Sequence, residues 1–161
     1  MTQVDSEFIK SIVFQLNDEE YAMPVQLVGS IERMLPITRV PGTPDFVKGV
    51  LNQRGVVTPL IDLRARFGFE PKEYNDMTRT IIIHHDDMDV GLIVDAAQDV
   101  IDIPKKSIEP APEVVGSLHI DYIDGVAKYE DRLFILLNIE KILSKELLEE
   151  ATMAQREKLV Q

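Results

Sequence analysis

Short apolar runs separated by polar turns mark out this chain as a series of strands. Phe8 to Leu16 is β-rich and Asn17-Asp18-Glu19-Glu20 reads as a turn, after which Tyr21 to Pro24 resumes as a strand. Val25 to Gly29 reads as a bend or helical turn, and Ile31 to Leu35 as a further strand. Pro36, Pro41, Gly42 and Pro44 mark a long connection. Lys48 to Gln53 and Val56 to Asp62 form a hairpin closed at Asn52-Gln53-Arg54-Gly55, with glycine where a positive φ is needed. Asp62 suits the N-cap of a short helix reaching Phe67, and Gly68 to Thr78 is a polar joint. Thr80 to His85, Val90 to Val94 and Val100 to Ile103 repeat the strand series, and Pro104 to Pro112 is a loop. Tyr122 to Tyr129 and Leu133 to Leu137 form the last strand pair, and Asn138 caps a helix reaching Leu143. Ser144 caps another, with Leu147, Leu148 and Ala151 on its apolar face.

The second half of this series is a diverged copy of the first. An offset of 69 carries Ile12-Val13-Phe14 onto Ile81-Ile82-Ile83, Tyr21-Ala22-Met23 onto Val90-Gly91-Leu92, and Ile31 onto Val100. An offset of 76 carries Gly49-Val50 onto Gly125-Val126, Asp62 onto Asn138 and Phe67 onto Leu143. Residue types present in both copies serve the fold, whereas a type present in one copy is free for another task. Short strands with frequent turn signals, and no crossover helix of adequate length, predict an all-β protein rather than an α/β sheet. The expectation is two small β-barrels related by a pseudo-twofold, with short helices and a C-terminal helix. Their approximate limits are 8–70 and 78–144, with the terminal helix over 145–161. Each half alone is near the size at which core burial barely offsets chain entropy, so the two must share apolar surface.

Composition narrows the function. With 28 acidic and 17 basic residues the formal net charge is −11, which opposes binding to nucleic acid or to an anionic membrane surface. No apolar run approaches membrane-spanning length, so no direct membrane insertion is expected, and Met1 to Glu7 lacks the basic-then-apolar plan of a signal peptide. The absence of cysteine excludes disulfides, thiol nucleophiles and thiolate metal sites. A cytoplasmic protein is the expectation.

Catalytic patterns are few. His84 and His85 precede Asp86, Asp87 and Asp89, but neighbouring strand residues point to opposite faces, and the acids occupy a hairpin turn. His119 with Asp121 and Asp124 invites a pairing with Ser117, without a nucleophile elbow or an oxyanion hole to complete it. Phosphate-binding glycine loops, dinucleotide fingerprints and zinc-protease motifs are missing, so no cofactor is expected. A metal-dependent enzyme built on His84 to Asp89, or a small-molecule sensor, stands as the alternative class.

Differences between the copies point elsewhere. Arg54 at the first hairpin tip corresponds to Glu130, and Gly55 to Asp131. The fold therefore does not require arginine there, and a guanidinium on a rigid tip can dock a partner carboxylate. Val28 and Ile31, just after the bend, are placed to line a cleft between the barrels that would accept an amphipathic helix or a helical-hairpin tip.

Thr43-Pro44-Asp45-Phe46-Val47-Lys48-Gly49-Val50-Leu51-Asn52-Gln53-Arg54-Gly55, followed by Val56-Val57-Thr58-Pro59-Leu60-Ile61-Asp62-Leu63-Arg64, resembles the CheW family, the coupling proteins of bacterial chemotaxis. Val90 to Asp95, Pro110 to Glu113 and Asn138 to Leu143 extend the resemblance, which spans roughly Phe8 to Leu148. It implies two SH3-like five-stranded barrels around a shared core and no enzymatic activity. The implied partners are the regulatory domain of the histidine kinase CheA, itself CheW-like, and the helical-hairpin tip of methyl-accepting chemoreceptors, in cytoplasmic arrays serving motility or another chemosensory output. By position Arg54 matches the family's coupling arginine, Val28 and Ile31 its groove, and Val114 a kinase-ring contact. The family often has an acidic residue where this chain has Ser30; Glu32, two residues on and on the same strand face, is the candidate replacement.

Overall fold

The computed structural model describes residues 7–53, 55–111, 114–115, 118–119 and 122–143. Strands β1 (Phe8–Leu16), β2 (Glu19–Pro24) and β3 (Val28–Arg33) come first, followed by β4 (Val47–Gln53), β5 (Val56–Asp62) and helix α1 (Leu63–Arg66). The second series is β6 (Arg79–His85), β7 (Met88–Val94), β8 (Ala96–Pro104), β9 (Ile108–Glu109), β10 (Val114–Val115), β11 (Leu118–His119), β12 (Ile123–Tyr129), β13 (Arg132–Leu137) and helix α2 (Ile139–Ile142). The fold is all-β. The expected helix over 145–161 lies outside the described residues.

Turn chemistry sets the hairpins. Asn17 and Asp18, Asp86 and Asp87, and Glu130 and Asp131 all have φ between 48° and 67°, the double positive φ that a two-residue turn needs to match strand twist. β3 begins three residues earlier than the sequence predicts. A single 3-10 turn over Val25–Leu27 ends as the Val28 N–H donates to the Val25 carbonyl, and the chain is extended from there. β3 stops at Arg33 because its partner β6 begins opposite, at Arg79.

The sheets do not follow the halves of the chain. One five-stranded sheet has the order β3-β6-β7-β5-β4, and the other runs β8-β1-β2-β13-β12-β9. Under the duplication these orders are equivalent strand for strand apart from the additional β9, but each copy's opening hairpin sits in the other copy's sheet. The sheets therefore do not coincide with the limits 8–70 and 78–144. The first sheet is built from residues 28–94, and the second from 8–24 together with 96–137. The reason is parallel pairing: β5 lies against β7 and β13 against β2, so each hairpin completes the opposite sheet. Equivalent glycines make room for the outer segments. A Cβ on Gly49, at φ 146°, would lie 2.3 Å from the Thr38 carbonyl oxygen, and one on Gly125 would lie 2.9 Å from that of Glu109.

Apolar side chains divide into three layers. The largest joins the sheets: Ile12, Phe14, Tyr21 and Met23 meet Ile61, Ile81, Ile83 and Leu92, with Ile135, Leu137 and Ile142. Smaller clusters line the far face of each sheet, around Val13, Ala22 and Phe134 in one and Leu51, Leu60 and Ile93 in the other. The shared core that marginal halves require is thus the main one. It buries Tyr21, whose phenol donates to Glu19 at 3.2 Å. Burial, then the Glu19 charge, pushes the Tyr21 phenol well above its ordinary range.

Candidate partner-binding site

The helix caps fix where the two copies meet. Asp62 accepts from the Arg64 N–H at 2.9 Å, and Asn138 from the Lys141 N–H at 3.0 Å. Their own N–H groups donate to the carbonyls of Phe46 and Tyr122, each at 2.8 Å, and those two residues are related by the same offset of 76. Between their rings lies Arg66, its guanidinium 5.1 Å from the Phe46 centroid and 5.0 Å from that of Tyr122. It also donates to the Ile142 carbonyl at 3.0 Å and to the Tyr122 hydroxyl at 2.9 Å. Arg66 is thus a latch across the line of duplication. Arg64 makes a second tie, donating to Asp95 at 2.8 Å, while Asp95 also accepts from the Asn17 N–H at 2.9 Å.

On this frame β3 forms one edge of the five-stranded sheet. Val28 stands opposite Ile83 and Ile31 opposite Ile81, both partners fully buried in the shared core. Directly opposed residues share a face, so Val28 and Ile31 both look toward that core. Simple alternation would separate residues three apart; the register shift between Val28 and Ser30 restores the phase. Ile31 remains 41% exposed. Ser30 and Glu32 stand opposite Ile82 and Thr80. They share a face with each other, as the sequence predicts, but it is the face away from Ile31. The structure therefore brings Val28 and Ile31 together and does not bring Ser30 and Glu32 to them.

The second sheet repeats the arrangement. Its edge strand β8 carries Val100, 56% exposed, opposite Ile12 of the shared core. Phe8 and Met77, related by the offset of 69, are also exposed, as are Val57 and Leu133, related by 76. Six of the eight large exposed apolar residues among the described ones thus come in equivalent pairs, and Val56 and Tyr74 stand outside them. Sequence reading missed Phe8, Met77 and Val57 as surface residues, although the two offsets, applied to every apolar residue, pair each of them.

At the first hairpin Gln53 opposes Val56 across the turn, as Tyr129 opposes Arg132 at the second. Gly55 has φ 82°, and its N–H donates to Asn52 Oδ1 at 3.1 Å. Arg54 itself lies outside the described residues. Val114 is on β10, which among the described residues pairs only with β11. Ser117 also falls outside the described residues, and His119 is on β11.

Other polar groups are engaged locally. His84 Nδ1 lies 3.0 Å from Asp89 Oδ1, and His85 Nε2 lies 3.5 Å from Asp86 Oδ2. Among the described residues no three His, Asp or Glu side chains group as metal ligands. Arg132 binds Glu20 across the parallel β2–β13 pair and lies over the Phe134 ring, its pKa raised chiefly by the hydrogen bond to Glu20. An open cleft of about 650 Å³ is lined by Val40 and Thr43 of the connection before β4, by Lys48 of β4, and by Ala65, Phe69 and Pro71. Val28, Ser30, Ile31 and Glu32 do not line it.

A family model described as "CheW-like domain" matches residues 10–147. The chain is 46% identical over 137 residues to "Chemotaxis protein CheW" of Bacillus subtilis (strain 168), covering 85% of this chain and 88% of that protein. It is 38% identical over 143 residues to the protein of the same description from Klebsiella aerogenes, covering 89% and 84%. Among solved structures, the scaffolding protein TtCheW from Thermoanaerobacter tengcongensis matches with a TM-score of 0.80 and 34% identity, over 86% of this chain and 94% of that one.

Proposed function

The chain belongs to the CheW-like domain family, and from that premise we propose that it is a non-catalytic adaptor of chemotaxis signalling. It couples methyl-accepting chemoreceptors to the histidine kinase CheA in the cytoplasm. The observation that carries this reading is the edge-strand surface: Ile31 and Val100 stay exposed at equivalent places beside the core that joins the sheets. A helical-hairpin tip of a receptor can lay apolar residues there, and Arg54, between β4 and β5 in sequence, pairs with an acidic residue of the partner. Val114 and the segment around it contact the CheA regulatory domain. Among the described residues no helix is long and apolar enough to cross a membrane, so contact with the membrane is made through the receptor.

The work such an adaptor does is differential binding. If it holds the kinase-on arrangement of receptor and kinase more tightly than the off arrangement, it shifts their equilibrium without chemistry. Calorimetric titration against a CheA regulatory domain and a soluble receptor tip tests the reading. Arg54→Glu is expected to weaken the receptor or kinase complex roughly tenfold, about 1.4 kcal/mol, with the melting temperature nearly unchanged. No association with either partner at high micromolar concentration refutes the adaptor, and a large loss of stability in Arg54→Glu makes that residue structural.

A further inference from the structure

The duplication provides an internal control for charges on the edge strands. Where β1 and β8 run side by side, Lys10 stands directly opposite Asp102, and opposite charges in register favour strand pairing. The offset of 69 carries Lys10 onto Arg79, and Arg33 onto Asp102. In the other sheet the same two places therefore hold Arg33 and Arg79, again directly opposed. Like charges in register disfavour pairing, and the counterpart pair demonstrates that the fold accepts a complementary one.

Neither arginine is neutralised within the described protein. Arg33 is exposed, and its side chain makes no ion pair or hydrogen bond among the described residues. Arg79 directs one guanidinium nitrogen to the Asp76 and Thr78 carbonyl oxygens, at 2.7 and 2.9 Å, and has no carboxylate partner among the described residues. By contrast Arg64 is paired with Asp95, and Arg132 with Glu20. Two adjacent unneutralised guanidinium groups on a chain of net charge −11 form a local reversal of sign. Their position is also specific. Arg33 lies two residues beyond Ile31, and Arg79 two before Ile81, so both fall on the face that carries Ile31 beside the shared core.

We infer that Arg33 and Arg79 together bind a carboxylate on the receptor segment that packs on Ile31, and so select receptors carrying an acidic residue one helical turn from the apolar contact. The inference rests on the reading of Ile31 as part of the receptor site. Ile31 and Arg33 are about 7 Å apart along the strand, close to the about 5–6 Å between residues three or four apart on a helix. A carboxylate seated between two guanidinium groups accepts charge-assisted hydrogen bonds and removes the repulsion left in the free protein.

The test is Arg33→Asp, which recreates the charge arrangement of the other sheet. Its binding is measured against soluble chemoreceptor hairpin-tip fragments that differ only in carrying Glu, Gln or Lys one turn from the apolar contact residue. The unsubstituted chain binds the Glu fragment best, with an affinity that falls as salt rises. Arg33→Asp binds that fragment about tenfold more weakly, recovers affinity for the Lys fragment, and melts at the same or a higher temperature. Equal affinity of both proteins for the Glu fragment, or a lower melting temperature that accompanies the loss, overturns the inference. Failure of the unsubstituted chain to bind any fragment is a separate result: it refutes the receptor reading, and the arginine pair loses its partner with it.

Discussion

Replacing Arg66 tests the claim that the two copies are latched at the line of duplication. Arg66→Ala removes a guanidinium lying between two rings at 5.1 and 5.0 Å. It also removes hydrogen bonds to the Ile142 carbonyl and the Tyr122 hydroxyl, at 3.0 and 2.9 Å. Partly exposed cation–ring contacts contribute about 0.5 kcal/mol each, and hydrogen bonds from a charged donor about 1.5 kcal/mol each at the low end. The expected loss is about 4 kcal/mol, which for a domain of this size lowers the melting temperature by roughly 8–16 °C. Arg66→Lys keeps the charge without the planar fork and should retain about half of that stabilisation. Urea unfolding gives the free energies, and an unchanged denaturant slope shows that the compactness of the end states is unaltered. A double-mutant cycle with Tyr122→Phe should give a coupling above about 1 kcal/mol. A loss below about 1 kcal/mol for Arg66→Ala, or a coupling near zero, refutes the latch.

Gly49→Ala should cost more than about 3 kcal/mol, because its Cβ would meet the Thr38 carbonyl at 2.3 Å at a φ of 146°. Gly125→Ala, with 2.9 Å to the Glu109 carbonyl, should cost less; equal losses in denaturant titrations would contradict the close-approach argument. At alkaline pH the buried Tyr21 phenol is held neutral in the folded state, while in the unfolded chain it ionises near pH 10.0. Its contribution is therefore full below about pH 10 and declines above it, by about 1.4 kcal/mol per pH unit until the folded-state phenol ionises. Tyr21→Phe should flatten the fall in stability between pH 10 and 11.5 measured by chemical denaturation, and an unchanged slope would count against the assignment.

Much of this fold is legible in the sequence because local chemistry fixes local shape. Asn17-Asp18, Asp86-Asp87 and Glu130-Asp131 announce their turns, Asp62 and Asn138 their helices, and the two offsets the duplication. The exchange of hairpins is not legible. It depends on which strand lies beside β5, and β7 and β2 both offer a continuous buried run, over 90–94 and 21–23, with no alternation to tell them apart. The site divides in the same way. Ser30 and Glu32 share a face by simple alternation, whereas Val28 and Ile31 come together only through the register shift between Val28 and Ser30. The opposition of Arg33 and Arg79 likewise requires the register of an antiparallel pair, which the two residues do not carry in their own surroundings.

Crossed connectivity also sets an order of events during synthesis. The strands of 28–94 can assemble as soon as they leave the ribosome, because every partner they need is among themselves. The opening hairpin must wait: Glu20 meets Arg132 only after 112 further residues have been made, and such distant closures are slow. Until then Glu19–Pro24, paired on one side with β1, presents an open edge on the other, able to pair with any neighbouring chain. A nascent adaptor cut short before β13 would thus carry a paired middle whose core face is still uncovered, and a sticky beginning.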